Sequence, residues 1–252
     1  MYLTVQALVL RVTPYNDTDA LLTLLSRDLG KLTAKVRGLR RKNSPLTAAC
    51  QLLAYSEFTL FEYRGMYTVN EAQSIELFHN LHKDILKLSL GTYFVQVAEV
   101  ISQEDMPSPE LLSLVLNCLY ALAKLNIPYA QIKAVFELRS VCLAGYMPDL
   151  HGCSRCGNPL PDRFNISEGI LTCHSCRDPE TSGIRLPVSI GTLEALRYIC
   201  VCDARKLFAF QAGEDSLTGL SQLSESYLLT QLERGFSTLD FYKSLDNDSK
   251  VH

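Results

Sequence analysis

The sequence predicts a multidomain α and β protein: an N-terminal five-stranded OB-fold barrel, then an all-helical domain carrying an inserted four-cysteine zinc ribbon. Three observations lead there. Five strand-like runs of period two occupy the first 75 residues, the apolar period lengthens to nearly four from Phe78 onward, and two C-x-x-C pairs interrupt the helical half. The expected boundaries are 1–76 for the barrel and 77–252 for the helical domain, with the ribbon at about 148–186.

The strands follow from alternation. Leu3, Val5, Ala7 and Val9 alternate with Thr4 and Gln6, and the turn residues Pro14, Asn16 and Asp17 lead to a second run, Ala20 to Leu25. Gly30 breaks the next connection. A third run puts Leu32, Ala34 and Val36 on one face and Lys31, Thr33, Lys35 and Arg37 on the other, so its outer face is basic. Leu52 to Tyr63 reads as an aromatic-rich fourth strand, and a turn at Arg64-Gly65 returns it as a fifth, Met66 to Ala72. Five short strands in so few residues fit a small closed barrel, the OB-fold leading.

The helices follow from the longer period. His79 to Ser102 carries Leu81, Ile85, Leu88, Tyr93, Val97 and Val100. The pair Pro107 and Pro109 precedes a helix over Glu110 to Leu125, and Asn126 and Pro128 end it. A third helix runs from Tyr129 to Ala144, with Gly145 as its cap. After the ribbon, Pro187 is read as opening a helix through Thr192 to Ile199, and Leu217 to Leu232 gives the last one. The polar tail after Leu245 is expected to fray.

Cys153, Cys156, Cys173 and Cys176 have the spacing at which two tight turns close four thiolates around one metal ion. Breakers surround them, among them Pro148, Gly152, Gly157, Pro159, Pro161 and Gly169, so the segment is read as turns and short strands whose missing core a metal replaces. Gly157 permits a backbone twist that aims N–H groups at the sulfurs. One structural zinc per chain is expected, and a closed four-sulfur shell leaves no coordination position for substrate. A redox dithiol needs only one C-x-x-C, at a helix start after a strand. Disulfides fit poorly with nine cysteines and an opening, Met1-Tyr2-Leu3, that lacks a basic n-region, so reduced thiols in a cytoplasm are expected. Cys50, Cys118, Cys142, Cys200 and Cys202 are read as buried core residues, and His151 and His174 as neighbours that the complete thiolate shell does not need.

Charge is unevenly distributed. The chain has net charge −3, yet the stretch from Arg27 to Lys42 has seven cations against Asp28 alone, a local +6 that leaves −9 elsewhere. Sheet edges are commonly protected by a lysine or two, but six cations in twelve residues exceed that need. Lys31, Lys35, Arg37, Arg40, Arg41 and Lys42 are therefore the candidate phosphate contacts, which makes the barrel the candidate nucleic-acid-binding domain. The aromatic residues of the fourth strand are divided between core and surface, and the sequence does not single out a base-stacking one. The longest apolar stretch, Leu111 to Leu125, is interrupted by Asn117 and Lys124 and is too short for a bilayer, so no membrane role is expected.

Catalytic signatures are missing. No G-x-x-x-x-G-K-[ST] loop, H-x-E or H-E-x-x-H pattern, or G-x-S-x-G elbow occurs, and Asp17, Asp19 and Asp28 sit near turns where carboxylates cap local amides. The sequence reads as a non-enzyme.

The chain resembles the RecO recombination mediators over nearly its full length. The resemblance rests on Ala7-Leu8-Val9-Leu10-Arg11-Val12, Asp17-Thr18-Asp19, Gly30-Lys31-Leu32 and Lys35-Val36-Arg37-Gly38-Leu39-Arg40-Arg41. It continues through Phe136-Glu137-Leu138-Arg139, Gly145-Tyr146-Met147-Pro148, Cys153-Ser154-Arg155-Cys156-Gly157 and Phe236-Ser237-Thr238-Leu239. Two departures are noted: Asp17 stands where glutamate is usual, and some members lack the cysteines. The resemblance implies a DNA repair protein of the RecF pathway in the bacterial cytoplasm and nucleoid. It implies binding to single- and double-stranded DNA, annealing of complementary strands, and work with RecR to load RecA in place of single-stranded-DNA-binding protein. The alternative is a zinc-ribbon and OB-fold adaptor that binds RNA or protein in transcription or translation; an unrecognised enzyme on the helices is a third possibility.

Overall fold

The first strand, β1 (Tyr2–Pro14), is long enough to pair with two partners, and that lets the N-terminal sheet close. In this computed structural model, which describes residues 1–176 and 183–251 with side chains as far as Asp246, β2 (Ala20–Ser26), β3 (Gly30–Val36), β4 (Tyr55–Tyr63) and β5 (Met66–Glu76) complete a closed barrel. Its order is β1-β2-β3-β5-β4. Every pairing is antiparallel except β3 with β5. This is the expected OB-fold-like architecture.

The alternation read from the sequence sets the barrel core: Ala7, Val9, Leu22, Leu24, Leu32, Ala34, Val36, Phe58, Leu60 and Val69 point inward and are buried. The register of β1 shifts between Val9 and Arg11, and in this region Leu8 and Leu10 are buried as well. Helices α1 (Ile85–Ile101) and α2 (Pro109–Lys124) cover that side, resting on β1 and β2 respectively. The β2–β3 turn presses on the loop before α2. Gly30 has φ +66°, and a Cβ there would stand 1.9 Å from the Met106 carbonyl oxygen.

Some boundaries differ from expectation for local reasons. The fourth strand starts at Tyr55, because Leu53 adopts φ 69° and the Val9 and Leu53–Ala54 backbones exchange bonds of 2.9 and 3.1 Å. The helix expected from His79 starts at Ile85, where Asp84 Oδ1 accepts the Leu86 and Lys87 amides at 2.9 and 3.2 Å. Its buried face is Leu90, Tyr93, Phe94, Val97 and Ala98, and Ile85 lies exposed. Pro187 does not open a helix: it ends β9 (Arg185–Pro187), an edge strand where a missing N–H costs no ladder bond on the open side. The helix α4 (Ile190–Val201) is instead capped by Ser189, whose Oγ accepts the Thr192 amide at 3.1 Å.

The chain packs as two units: Met1–Leu125 with the segment from Phe236 onward, and Asn126–Gly235. In the first, the C-terminal segment forms an unforeseen helix, α6 (Ser237–Val251), which packs on α1. Phe236 meets Tyr93 edge-on at 5.7 Å, and the Thr238 hydroxyl donates to Gln96 Oε1. The tail expected to fray falls within α6, and its side chains from 247 on lie outside the described residues.

The second unit is built around α3 (Tyr129–Leu143), which packs against α4 and α5 (Glu214–Gln231). Between α3 and α5 lies a buried ionic cluster: Lys133 Nζ stands 2.9 Å from Glu137 Oε1 and 2.8 Å from Glu225 Oε2, and the Ser224 hydroxyl donates to Glu137 Oε2 at 2.7 Å. The ribbon is a four-stranded sheet, β6 (Asp149–Cys153), β8 (Ile170–Thr172), β7 (Arg163–Asn165) and β9 in that order. The expected ribbon span includes 177–182, which lie outside the described residues. No helix among the described residues is long and apolar enough to cross a membrane.

Candidate nucleic-acid interface and metal centre

The basic segment leaves the barrel at the end of β3 and is organised by one carboxylate. Asp19 sits at the start of β2, where it accepts the Gly38 amide at 2.9 Å, the Lys35 ammonium at 3.0 Å, the Asn16 amide group at 3.1 Å and the Thr18 hydroxyl at 3.1 Å. The Gly38 amide and then Lys35 hold its carboxyl well below the usual carboxylate range. Arg40 fastens the same loop from the other side, its guanidinium on the Asn16 carbonyl at 2.6 Å and its amide on that of Thr18 at 2.9 Å.

The six candidate cations have different surroundings. Arg37, Arg41 and Lys42 are exposed. Arg40 is exposed but hydrogen-bonded as above, and Lys35 is half-buried, paired to Asp19 and 4.8 Å above the Tyr15 ring. Lys31 stands at the opposite end of β3, its ammonium donating to the Glu99 carbonyl of α1 at 3.1 Å. Five of the six therefore gather about one loop, and Lys31 is apart from them.

The four cysteines come together. Cys153 ends β6, Cys156 is in the turn after it, Cys173 follows β8, and Cys176 closes a single 3-10 turn, His174–Cys176. Their sulfurs all lie within 4.8 Å of one another, with Cys156 and Cys173 3.8 Å apart. Four sulfurs about 2.3 Å from a shared ion would stand about 3.8 Å apart, so the site accepts a tetrahedral metal. Gly157 has φ +72°, and its amide returns to the Cys153 carbonyl at 2.9 Å. Burial works to raise the Cys153 thiol, but the amides of Cys156, Arg155 and Cys173 outweigh it and bring it to about 6. Cys153 is thus drawn toward the thiolate, the form a metal requires, whereas its sulfur neighbours hold the Cys173 and Cys176 thiols up in the metal-free cluster. His151 and His174 stay outside the cluster, His151 exposed and 2.9 Å from Asp149 Oδ1.

Two supports had no sequence signal beyond proximity. Asn158 Nδ2 donates to Cys173 Sγ at 3.3 Å, and Arg197 of α4 reaches the carbonyls of Leu150, His151 and Pro159 at 2.8, 3.2 and 2.8 Å. One guanidinium thus fixes both edges of the first cysteine turn to the helix. Of the other cysteines, Cys50, Cys118 and Cys200 are buried as expected, whereas Cys142 and Cys202 are partly exposed at the ends of α3 and α4. Burial pushes Cys50 up to about 12, the behaviour of a core residue.

Comparison with known proteins agrees along nearly the whole chain. The family model described as Recombination protein O N terminal matches residues 1–78, and that described as Recombination protein O C terminal matches 82–240. The chain belongs to the RecO family. A DNA repair protein RecO from Acetivibrio thermocellus is 34% identical over 97% of this chain and 98% of its own. Others come from Alkaliphilus metalliredigens, 29% identical over 97% and 100%, and Heliobacterium modesticaldum, 32% identical over 86% and 80%.

The remaining residues that carry the RecO likeness have packing roles. Phe136 and Glu137 are fully buried in α3, and the Arg139 guanidinium caps the end of α4 through the Ile199 and Cys200 carbonyls at 3.4 and 3.0 Å. The Tyr146 carbonyl accepts the Tyr227 hydroxyl at 3.0 Å. Asp19, read from the sequence as a turn cap, is the residue that orders the RecO-like basic loop.

Proposed function

We propose that this protein is a DNA-binding recombination mediator of DNA repair in the RecF pathway, acting in the bacterial cytoplasm and nucleoid. It holds single- and double-stranded DNA on the barrel through Lys35, Arg37, Arg40, Arg41 and Lys42, and Lys31 contributes to the field from the far end of β3. The observation that carries the reading is the basic loop after β3, ordered by Asp19 yet exposing Arg37, Arg41 and Lys42 to solvent. The family likeness supports it, since the relatives are named DNA repair proteins.

Contacts to phosphate hold a strand without reading it, so Watson–Crick edges stay free to meet a complement. Annealing then needs no fuel and no catalytic residue, because base pairing supplies the free energy. In this reading the protein is not an enzyme. It works with RecR to help RecA replace single-stranded-DNA-binding protein.

Cys153, Cys156, Cys173 and Cys176 would hold one zinc ion per chain, which supplies a four-sulfur cross-link in place of a core. The test of function is duplex formation from two complementary oligonucleotides, without nucleotide, followed with the intact protein. Acceleration over the spontaneous rate is expected; an unchanged rate, with folded protein, overturns the annealing role.

A further inference from the structure

We infer that the outer face of the barrel across β1, β4 and β5 is a base-stacking platform for single-stranded nucleic acid, with Tyr2, Phe61 and Tyr63 as its rings. The inference rests on the nucleic-acid reading of the barrel and adds to it which face the unpaired bases occupy.

The fourth strand sorts its aromatic residues by parity. Phe58 is fully buried in the core, whereas Phe61 and Tyr63 point outward and are 38% and 55% exposed. Phe61 pairs in register with Tyr2 of β1, itself 62% exposed, and the two rings lie 5.1 Å apart at 51°. A cross-strand aromatic pair stabilises a sheet by itself, which is sufficient reason for Tyr2 and Phe61 to touch. It gives no reason for Tyr63 and its register partner Met66 to stand open beside them.

Register joins these rings to the basic loop. Lys35 is opposite Thr68, Thr68 opposite Phe61, and Phe61 opposite Tyr2, so one row crosses four strands on the outer face from cation to ring pair. Cations stand over two rings beside this row: Lys35 at 4.8 Å from the Tyr15 centroid, and Arg64 at 5.1 Å from that of Tyr63, two residues beyond Phe61 on β4. The next row on this face has no ring: Thr4 is opposite Thr59, and Thr59 is opposite Glu71. The open rings of Tyr2, Phe61 and Tyr63, with Lys35 and Arg64 on either side of them, suit a strand of phosphates and bases, and only unpaired bases expose faces to stack. Duplex DNA would engage the cations alone.

The chain contains no tryptophan, so Phe61→Trp places a single reporter in the row. The full-length protein is titrated with oligothymidylate and with a duplex, following tryptophan emission and the anisotropy of labelled DNA. Oligothymidylate should quench the emission and the duplex should not. The variant Tyr2→Ala/Phe61→Ala should bind oligothymidylate about tenfold more weakly, with an unchanged salt slope and unchanged duplex affinity. Binding of oligothymidylate with parental affinity in both variants, without quenching, overturns the platform and leaves the cationic reading intact. Failure of the parent to bind either DNA removes that reading and the platform with it. Loss of self-association in the alanine variant, at parental DNA affinity, assigns the rings to a second copy and also overturns the platform. The tryptophan variant decides the matter if the alanine variant does not fold.

Discussion

Asp19 Oδ1 accepts the Gly38 amide at 2.9 Å across nineteen residues of sequence, and so ties the start of β2 to the first turn of the basic loop. The second oxygen takes Lys35 at 3.0 Å, so one carboxylate both shapes the loop and neutralises its innermost cation. Cations spaced by a rigid loop meet phosphates without an ordering cost at binding.

Replacing Asp19 by alanine should therefore loosen the loop without disrupting the barrel. Faster hydrogen exchange at the Gly38 amide is the expected outcome, with weaker oligonucleotide binding even though one negative charge is lost. The carboxyl's depressed pKa fixes the pH dependence. Its contribution to stability is fully present above the unfolded value, about 3.9, and is lost as pH falls through the lower folded value. Thermal melts of parent and variant should differ at neutral pH, begin to converge only below about pH 4, and meet as pH reaches the lower folded value.

Lys133 offers a test of the second unit. It is 3% exposed, and its removal would take the paired ammonium from Glu137, which has no exposed surface, between α3 and α5. Lys133→Met should cost about 3–5 kcal/mol in denaturant unfolding, whereas Lys133→Met/Glu137→Leu should recover most of that. Burial already pushes the Glu137 carboxyl up. With the lysine gone it takes a proton more readily, so the penalty should shrink as pH falls.

These two carboxylates also show what the sequence could convey. Alternation made the barrel legible because Leu32, Ala34 and Val36 had one place to go, and cysteine spacing alone implied the cluster. Lys133 and Glu137, four apart, have the spacing of an ordinary surface pair; that α3 is buried all round follows from α4 and α5 packing over it. The start of α1 was obscured because Leu81 is buried in the preceding turn and extends the apolar pattern, while Asp84 takes the first free amides. In α6 the helical signal was faint: its packing on α1 falls to a few residues such as Phe236, Leu239 and Tyr242. Partners chosen by tertiary proximity, among them Asp19 with Gly38 and Arg197 with three ribbon carbonyls, had no local signature to read.

The ribbon should separate into a metal-dependent and a metal-independent layer. Protein purified under reducing conditions should contain one zinc per chain, and Cys153→Ser or Cys173→Ser should lose it together with the ribbon's protection from proteolysis. Arg197→Ala removes a guanidinium that holds the same turns to α4, so it should lower stability by about 2 kcal/mol while the metal stays bound. Elemental analysis and denaturant melts on the same samples check both. Metal-free wild-type protein with an intact ribbon would refute the structural role.

The cations of the loop should divide by environment when replaced. Arg41 and Lys42 are exposed, so Arg41→Ala/Lys42→Ala should leave the melting temperature unchanged and weaken single-strand binding whatever the sequence. Each lost phosphate contact flattens the dependence of log affinity on log salt by about 0.7 for single strands, so the double variant should lower the slope by about 1.4. Arg40 differs because its guanidinium also holds the Asn16 carbonyl. Arg40→Ala should lose more affinity than one contact explains and should show the fast Gly38 exchange of the Asp19 variant. Lys31 stands at the other end of β3, bonded to Glu99, so Lys31→Ala should change the salt slope least of the six. A slope that falls equally for Lys31 and Arg41 would mean that the DNA path runs the length of β3. An unchanged slope in Arg41→Ala/Lys42→Ala would move the phosphate contacts away from this loop.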